Sequence, residues 1–486
     1  MVLICLSLAG WAQLSPERMV LNSLEKGKYH KAYTQIARML ARDTGSVAAR
    51  FLLVRYFFSP ANPGYNIDSA HHYCRAGMAS LAHTHGKARE RLIRFAIDSA
   101  LFLRLQQSID SAAFKRAQDL NTEAAYQYFL DRFPQARQRP QAIELRDEVA
   151  FLTALRENTW QSFKHFLDKY PQSHRAPDAQ VRYDRLLYQT KTSDGRLNSY
   201  RAFVSEHPGS PYRHEAEWHI LQLSTALCTP PPLLDFIITF PQSRHRRFAL
   251  NLLYHLLKEH DEPFPSGLLT DSLRHVNDLE KQHLIPVYRN GKFAWMNPAG
   301  KEVIAPLAEY LPETLKCGYA ADDVLPAGNL LIARNGTVLA RQVEESADLG
   351  YGFLVVRTND CNYVLHKSGK KLTGCIDDAR VVGSSIMAVQ TNNRWSLISF
   401  AGLVLMENTD GFYDFGPVLG IKRGTQTLLI LREEVKLLAD GQQPGIQHVV
   451  DEAKNLPKGI WVRMGKNEAM LGYDLAWLIP PFRTTH

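Results

Sequence analysis

Asn158-Thr159-Trp160-Gln161-Ser162-Phe163-Lys164-His165-Phe166-Leu167-Asp168-Lys169-Tyr170-Pro171 decides how the first half of this 486-residue chain is read. Trp160, Phe163, Phe166, Leu167 and Tyr170 fall at helical spacing and make one apolar stripe. Thr159 stands where an N-cap accepts a free backbone N–H, and Pro171 ends the helix by disfavouring the α conformation of the residue before it. The pattern repeats. Ala113-Phe114, Asn121-Thr122, Phe129-Leu130-Asp131 and Phe133-Pro134 stand 37 positions before Ala150-Phe151, Asn158-Thr159, Phe166-Leu167-Asp168 and Tyr170-Pro171. A third copy carries Phe203, His207-Pro208 and Ser210, a further 37 on, and a fourth carries Phe236, Phe240-Pro241 and Ser243 after a step of 33. Each copy reads as two helices, the second opening after a Pro-x-Ser turn. One such pair cannot bury its stripe, so the pairs must stack, and an α-solenoid is expected over residues 13–265.

These residues resemble the tetratricopeptide-type repeats of bacterial envelope proteins, the closest match being Phe203 through Ala216. The resemblance covers roughly residues 16–260 and implies a helical scaffold that grips a protein or peptide. The 37-residue spacing is longer than the family's unit. Upstream, Glu25-Lys26-Gly27-Lys28-Tyr29 opens a more degenerate copy, and Ser59-Pro60-Ala61-Asn62-Pro63-Gly64 is a turn-rich break.

A linker helix is expected over 266–283, and then the texture changes to short β-type runs bounded by Asn-Gly, Ser-Gly and Ala-Gly turns. Glycines with similar neighbours recur at Gly300, Gly336, Gly369 and Gly402; the next register, Val435, has none, and a last degenerate unit holds Gly465-Lys466. Each glycine supplies the positive φ of a tight turn. About six units of three strands are expected over 284–486, closed as a propeller or wound as an open β superhelix, with closure favoured because it removes exposed edges. Arg289-Asn290-Gly291-Lys292-Phe293-Ala294-Trp295 through Pro306 resembles the WG-repeat family, with Phe293-Ala294 and Trp395-Ser396 at the eponymous Trp-Gly position. The aromatic at the centre of each unit is expected to wedge into the core between neighbours.

The net charge of +8 is confined to the first half: 36 Lys+Arg oppose 28 Asp+Glu between Gln13 and His283, against 21 of each beyond. The charge is dispersed along helices, without a stacking motif or zinc module, so nucleic-acid binding is not expected. Met1 to Ala12 is apolar, too short to span a bilayer, and reads as an export signal cleaved after Ala12, which places the protein in the periplasm or outer envelope. No integral membrane span is expected in the mature chain. Of the remaining cysteines, Cys74, Cys228, Cys317, Cys361 and Cys375, buried free thiols are expected, with Cys361 and Cys375 the one pair placed to bridge.

Catalytic motifs are missing. His214-Glu215-Ala216-Glu217-Trp218-His219 imitates a zinc-protease helix, but its histidines are five apart and off one face. His71, His72, Cys74, His83 and His85 lack a recognised ligand spacing and read as exposed histidines at a helix end. No phosphate-cradling glycine loop or GxSxG elbow occurs. No catalytic residue, cofactor or metal is expected, and an enzyme assembled between the halves is the least favoured reading. The expectation is a non-enzymatic envelope scaffold: the basic solenoid takes a protein or peptide partner, acidic in preference, and the β repeats offer a second surface. Arg244, Arg246 and Arg247 are the densest basic candidates. The alternative is glycan or cell-wall binding on Tyr351, Phe353, Tyr363 and Trp395, with Tyr413, Trp461 and Trp477 as further stacking candidates.

Overall fold

The computed structural model describes residues 15–226, 229–268, 273–274, 283–312, 323–439 and 445–483. The proposed leader over 1–12, Cys228, Cys317 and most of the proposed linker helix lie outside the described residues. The chain divides into two compact units, Met1–Leu187 and Tyr188–His486.

The first unit is helical: α1 (Pro16–Glu25), α2 (Tyr29–Arg42), α3 (Val47–Phe57), α4 (Ile67–Ala82), α5 (Gly86–Arg94), α6 (Ser99–Leu120), α7 (Glu123–Arg132), α8 (Arg139–Glu157), α9 (Trp160–Lys169) and most of α10 (Ala176–Lys191). The repeat visible in the sequence is a repeat of caps. Asn121 and Asn158 close α6 and α8 in the left-handed region, and Thr122 and Thr159 cap α7 and α9 by accepting the N–H groups of Ala125 and Ser162. Phe133 and Tyr170 then end those helices with N–H groups donated to the carbonyls of Phe129 and Phe166. Phe129 and Phe166 are buried in separate core clusters, the first with Phe114 and Phe133, the second with Phe151 and Phe163.

The second unit continues with α11 (Leu197–Glu206), α12 (Arg213–Ser224), α13 (Pro230–Thr239) and α14 (Arg246–Glu259). Phe203 and Phe236 are buried, and His207 and Phe240 reproduce the same helix end. An all-β region follows, built as six separate antiparallel meanders. They are β1 (Ile285–Arg289), β2 (Lys292–Met296) and β3 (Glu302–Ala308); β4 (Val324–Ala327), β5 (Leu330–Ala333) and β6 (Val338–Arg341); and β7 (Val343–Gly350), β8 (Phe353–Thr358) and β9 (Asn362–His366). Three four-stranded sheets come next: β10 (Asp378–Val382), β11 (Ile386–Thr391), β12 (Arg394–Ser399) and β13 (Val404–Thr409); β14 (Gly411–Asp414), β15 (Val418–Arg423), β16 (Gln426–Leu431) and β17 (Gln447–Val450); β18 (Glu452–Leu456), β19 (Gly459–Met464), β20 (Asn467–Leu471) and β21 (Trp477–Arg483). About six units were expected and, among the described residues, six sheets form, with no closed barrel or propeller found among them.

The four repeated glycines have φ between +78° and +89°, and each N–H donates to the carbonyl three residues back, on Asn297, Ala333, His366 and Ser399. The fifth unit replaces this turn with a short helix, Val435–Ala439, and the sixth makes it without glycine, at Leu475 (φ +62°), whose N–H reaches Gly472 at 2.9 Å. Side chains of consecutive sheets share cores: Trp295 with Leu325 and Ile332, Leu331 with Leu354 and Val356, Leu397 with Leu419, and Leu429 with Val462. A three-stranded meander has two faces and too little chain to cover either, so neighbours in sequence become neighbours in space.

Cys361 and Cys375 are bonded as a disulfide, their Cα atoms 5.4 Å apart, where free thiols were favoured from the sequence. The antiparallel bridge between Asn362 and Ile376, their neighbours in the chain, brings the two cysteines close together. Cys74 is free and buried. Among the described residues no helix is long and apolar enough to cross a membrane.

Candidate functional site

Within the second unit, Phe240-Pro241 stops α13, the Ser243 hydroxyl accepts the His245 N–H at 3.2 Å, and α14 starts at Arg246. Helical spacing then turns Arg246, Arg247, Leu250, Asn251 and His255 toward one cavity of about 410 Å³. The opposite wall is the second β sheet, through Asp323, Val324, Arg334, Asn335 and Thr337, with Lys367 and Ser368 from the turn after β9.

The cavity is basic. Among the described residues, Arg246, Arg247, Arg334 and Lys367 line it together with the carboxylate of Asp323. Lys367 is held from both sides, Nζ lying 2.9 Å from each Asp323 oxygen and 2.7 Å from Asp348. Burial alone would depress the Lys367 pKa, but Asp323 and then Asp348 outweigh it and hold the ammonium above its ordinary value. Arg334 is 2 % exposed. Arg246 carries a buried Nε without a hydrogen-bond partner. The N-terminal turn of α14 adds the positive end of its dipole on the same side. An anion entering here meets the guanidinium groups of Arg246 and Arg247, whose planar N–H forks suit a carboxylate or another oxyanion.

His255, which lines the cavity, and His366 are both buried. His255 and His366 pack with ring centroids 5.4 Å apart. Burial first, then Lys367 and Lys258, push His255 down to about 3; burial, then His255 and Lys367, hold His366 well below the ordinary imidazole value. The Ser368 N–H donates to His366 Nδ1 at 3.1 Å, so the neutral ring carries its proton on Nε2. Ser368 Oγ lies 2.9 Å from that same Nδ1, the distance of a nucleophile and its base. The resemblance goes no further, because an imidazolium buried beside Lys367 is opposed on both counts and the ring is a poor proton acceptor.

Arg246 and Arg247, singled out in the sequence, both line the cavity; Arg244 does not. The proposed aromatic platform is dispersed. Phe353 is fully buried between His366 and Phe400, and Tyr351, half-buried, packs on Phe400 at 5.3 Å. Tyr363 is covered by Lys371, 4.0 Å from its ring centroid. Trp395 is covered by Arg380 and wedges onto Phe412 of the next sheet at 5.2 Å. Tyr413 and Trp477 are exposed.

The decoys resolve plainly. Glu217, 1 % exposed, is tied to Arg213 at 2.8 Å, and no group of metal-ligating side chains assembles among the described residues. The histidines near Cys74 were expected on the surface; His71 is instead buried against Phe133 at 4.6 Å, its pKa pushed down to about 4 mainly by burial. Sequence reasoning missed Arg334 and Lys367, although a signal was present: each stands two residues ahead of a repeated glycine, Gly336 and Gly369, so equivalent turns of adjacent units both deliver a cation to the cavity.

No family model matches the sequence, and no curated protein matches it.

Proposed function

We propose that this chain is a non-enzymatic interaction protein of the bacterial cell envelope, and that the cavity beside α14 receives a carboxylate of an acidic protein or peptide partner. The observation that carries the reading is the basic start of α14: Arg246 and Arg247 both line the cavity, and the buried Arg246 Nε has no hydrogen-bond partner. The helical pairs read as tetratricopeptide-like solenoid turns that hold the rest of the partner, and the six meanders as WG-like units wound in an open array. The Cys361–Cys375 disulfide supports an oxidising compartment and hence export. Burial of Phe353 and the cations over Tyr363 and Trp395 argue against glycan stacking as the primary activity.

The test is fluorescence anisotropy with a labelled hexaglutamate peptide and its hexaglutamine counterpart at low and high salt. The full chain is expected to bind the acidic peptide and not the neutral one, and the Arg246→Ala/Arg247→Ala chain to bind it at least tenfold more weakly. Equal binding of both peptides, or an unchanged double variant, would overturn the reading.

A further inference from the structure

A second cavity, of about 360 Å³, lies wholly within the first unit and is lined mostly by amide and hydroxyl side chains. One face of α6 supplies Gln107, Asp110 and Ser111, and the loop that leads into α8 supplies Gln135 and Gln138. Asp110 is 4 % exposed, and its Oδ1 has no hydrogen-bond partner. Gln138 Oε1 is also buried and unpartnered.

The hydrogen bonds around them fix which atoms are left over. Ser111 Oγ donates to the Gln107 carbonyl at 2.7 Å, so the hydroxyl can only accept from Gln138, whose Nε2 lies 2.9 Å away. That orients the Gln138 amide and leaves its oxygen, in a cavity that Asp110 also lines, as a bare acceptor. Burial pushes the Asp110 pKa up to about 6, as expected of a carboxyl group without a cation. Arg137 lines the same cavity, is exposed, and makes no ion pair with Asp110. Two buried acceptors, one of them acidic, in an open polar cavity call for a ligand that brings several N–H donors and a positive charge.

We propose that this cavity binds a guanidinium or ammonium group, with Asp110 and Gln138 as its two principal acceptors. The site is separate from the anion cavity, and neither reading depends on the other. Charge alone is not the criterion: a cation without N–H groups leaves both acceptors unsatisfied.

The experiment titrates the full chain with methylguanidinium, with a short arginine-containing peptide and with tetramethylammonium, followed by nuclear magnetic resonance of the glutamine side-chain amides. Methylguanidinium is expected to shift the Gln138 amide saturably, tetramethylammonium to leave it unmoved, and Asp110→Asn to weaken methylguanidinium at least tenfold. Gln138→Ala, which cannot disturb the Asp110 charge, is expected to weaken it severalfold while circular dichroism stays that of the parent. A peptide that binds more tightly than methylguanidinium identifies a side chain as the source; one that does not identifies a free small amine. Equal effects of the two cations, or binding unchanged in both variants, would overturn the proposal.

Discussion

At Gly352 an added Cβ would lie 2.6 Å from the His255 ring and 2.9 Å from His366 Nε2, on a backbone with φ of +78°. Gly369 has a similar φ, +89°, but open space around it. Alanine at Gly369 is therefore expected to cost only the left-handed strain, about 1–2 kcal/mol. At Gly352 the clash adds to it, and a loss of about 3–5 kcal/mol is expected in urea unfolding; equal losses at the two sites would contradict the packing of α14 on β8 and β9. The same two histidines set a pH response. Their folded-state pKa values lie below the unfolded value of about 6.5, so the unfolded chain takes up protons first and stability falls as pH drops from 6.5 toward about 3. His255 alone is expected to cost about 2 kcal/mol at pH 5, and a second unit whose stability is flat from pH 7 to 5 would contradict its burial. Asp110 has the opposite sign: its raised pKa, about 6, means that stability is lost as pH rises from near 4. Asp110→Asn is expected to stabilise the first unit by about 1–3 kcal/mol at pH 7.5, the cost of keeping an unpaired carboxylate for a ligand.

Among elements, the helix pairs were legible because their punctuation is chemical. Asn-Thr between helices and a Phe four residues before the ring that precedes proline (Phe133, Tyr170, His207, Phe240) are demanded by caps and by the residue that precedes a proline, and those constraints act locally. Thr122→Ala and Thr159→Ala are each expected to cost about 1 kcal/mol in thermal unfolding, and no change at either would mean that the caps are ornamental. The β units were legible while glycine marked them, at Gly300, Gly336, Gly369 and Gly402, and the register was lost where a helix at Val435–Ala439 and a left-handed Leu475 took over the turn. The disulfide was only an option in the sequence because its closing contact, Asn362 with Ile376, is a bridge outside the regular strands. Replacing both Cys361 and Cys375 by serine, across a separation of 14 residues, is expected to cost about 3 kcal/mol, matched by adding reductant to the parent.

For the whole molecule, the change from helix to strand is not where the second compact unit begins. Phe248 of α14 stacks edge-on to His366 at 5.3 Å, and Gln222 of α12 donates to the Ala401 carbonyl at 3.1 Å, so the last helices are part of the core beneath the third and fourth sheets. Composition and periodicity change near His283 and conceal this, because packing of α14 on the sheets leaves no periodic trace. A fragment from Ala176 to His486 is expected to unfold cooperatively and bind little of a hydrophobic dye. A fragment starting at Leu284 uncovers Phe353 and His366 and is expected to bind the dye and lose its sharp transition; a cooperative, dye-silent fragment from Leu284 would contradict the shared core. The anion cavity has the same origin. Arg246 and Arg247 could be chosen from the sequence as a basic cluster, whereas Arg334 and Lys367 looked like ordinary turn residues until the fold set two turns and a helix start around one space.

The most direct test of that space is a crystal of the full chain soaked in selenate, an oxyanion whose anomalous signal locates it without ambiguity. The predicted result is a selenate in the cavity within about 3 Å of the Arg246 guanidinium, displaced by a glutamate-containing peptide and absent from the Arg246→Ala/Arg247→Ala chain. Selenate ordered only at other sites, with the cavity filled by water or by the chain itself, would contradict the account.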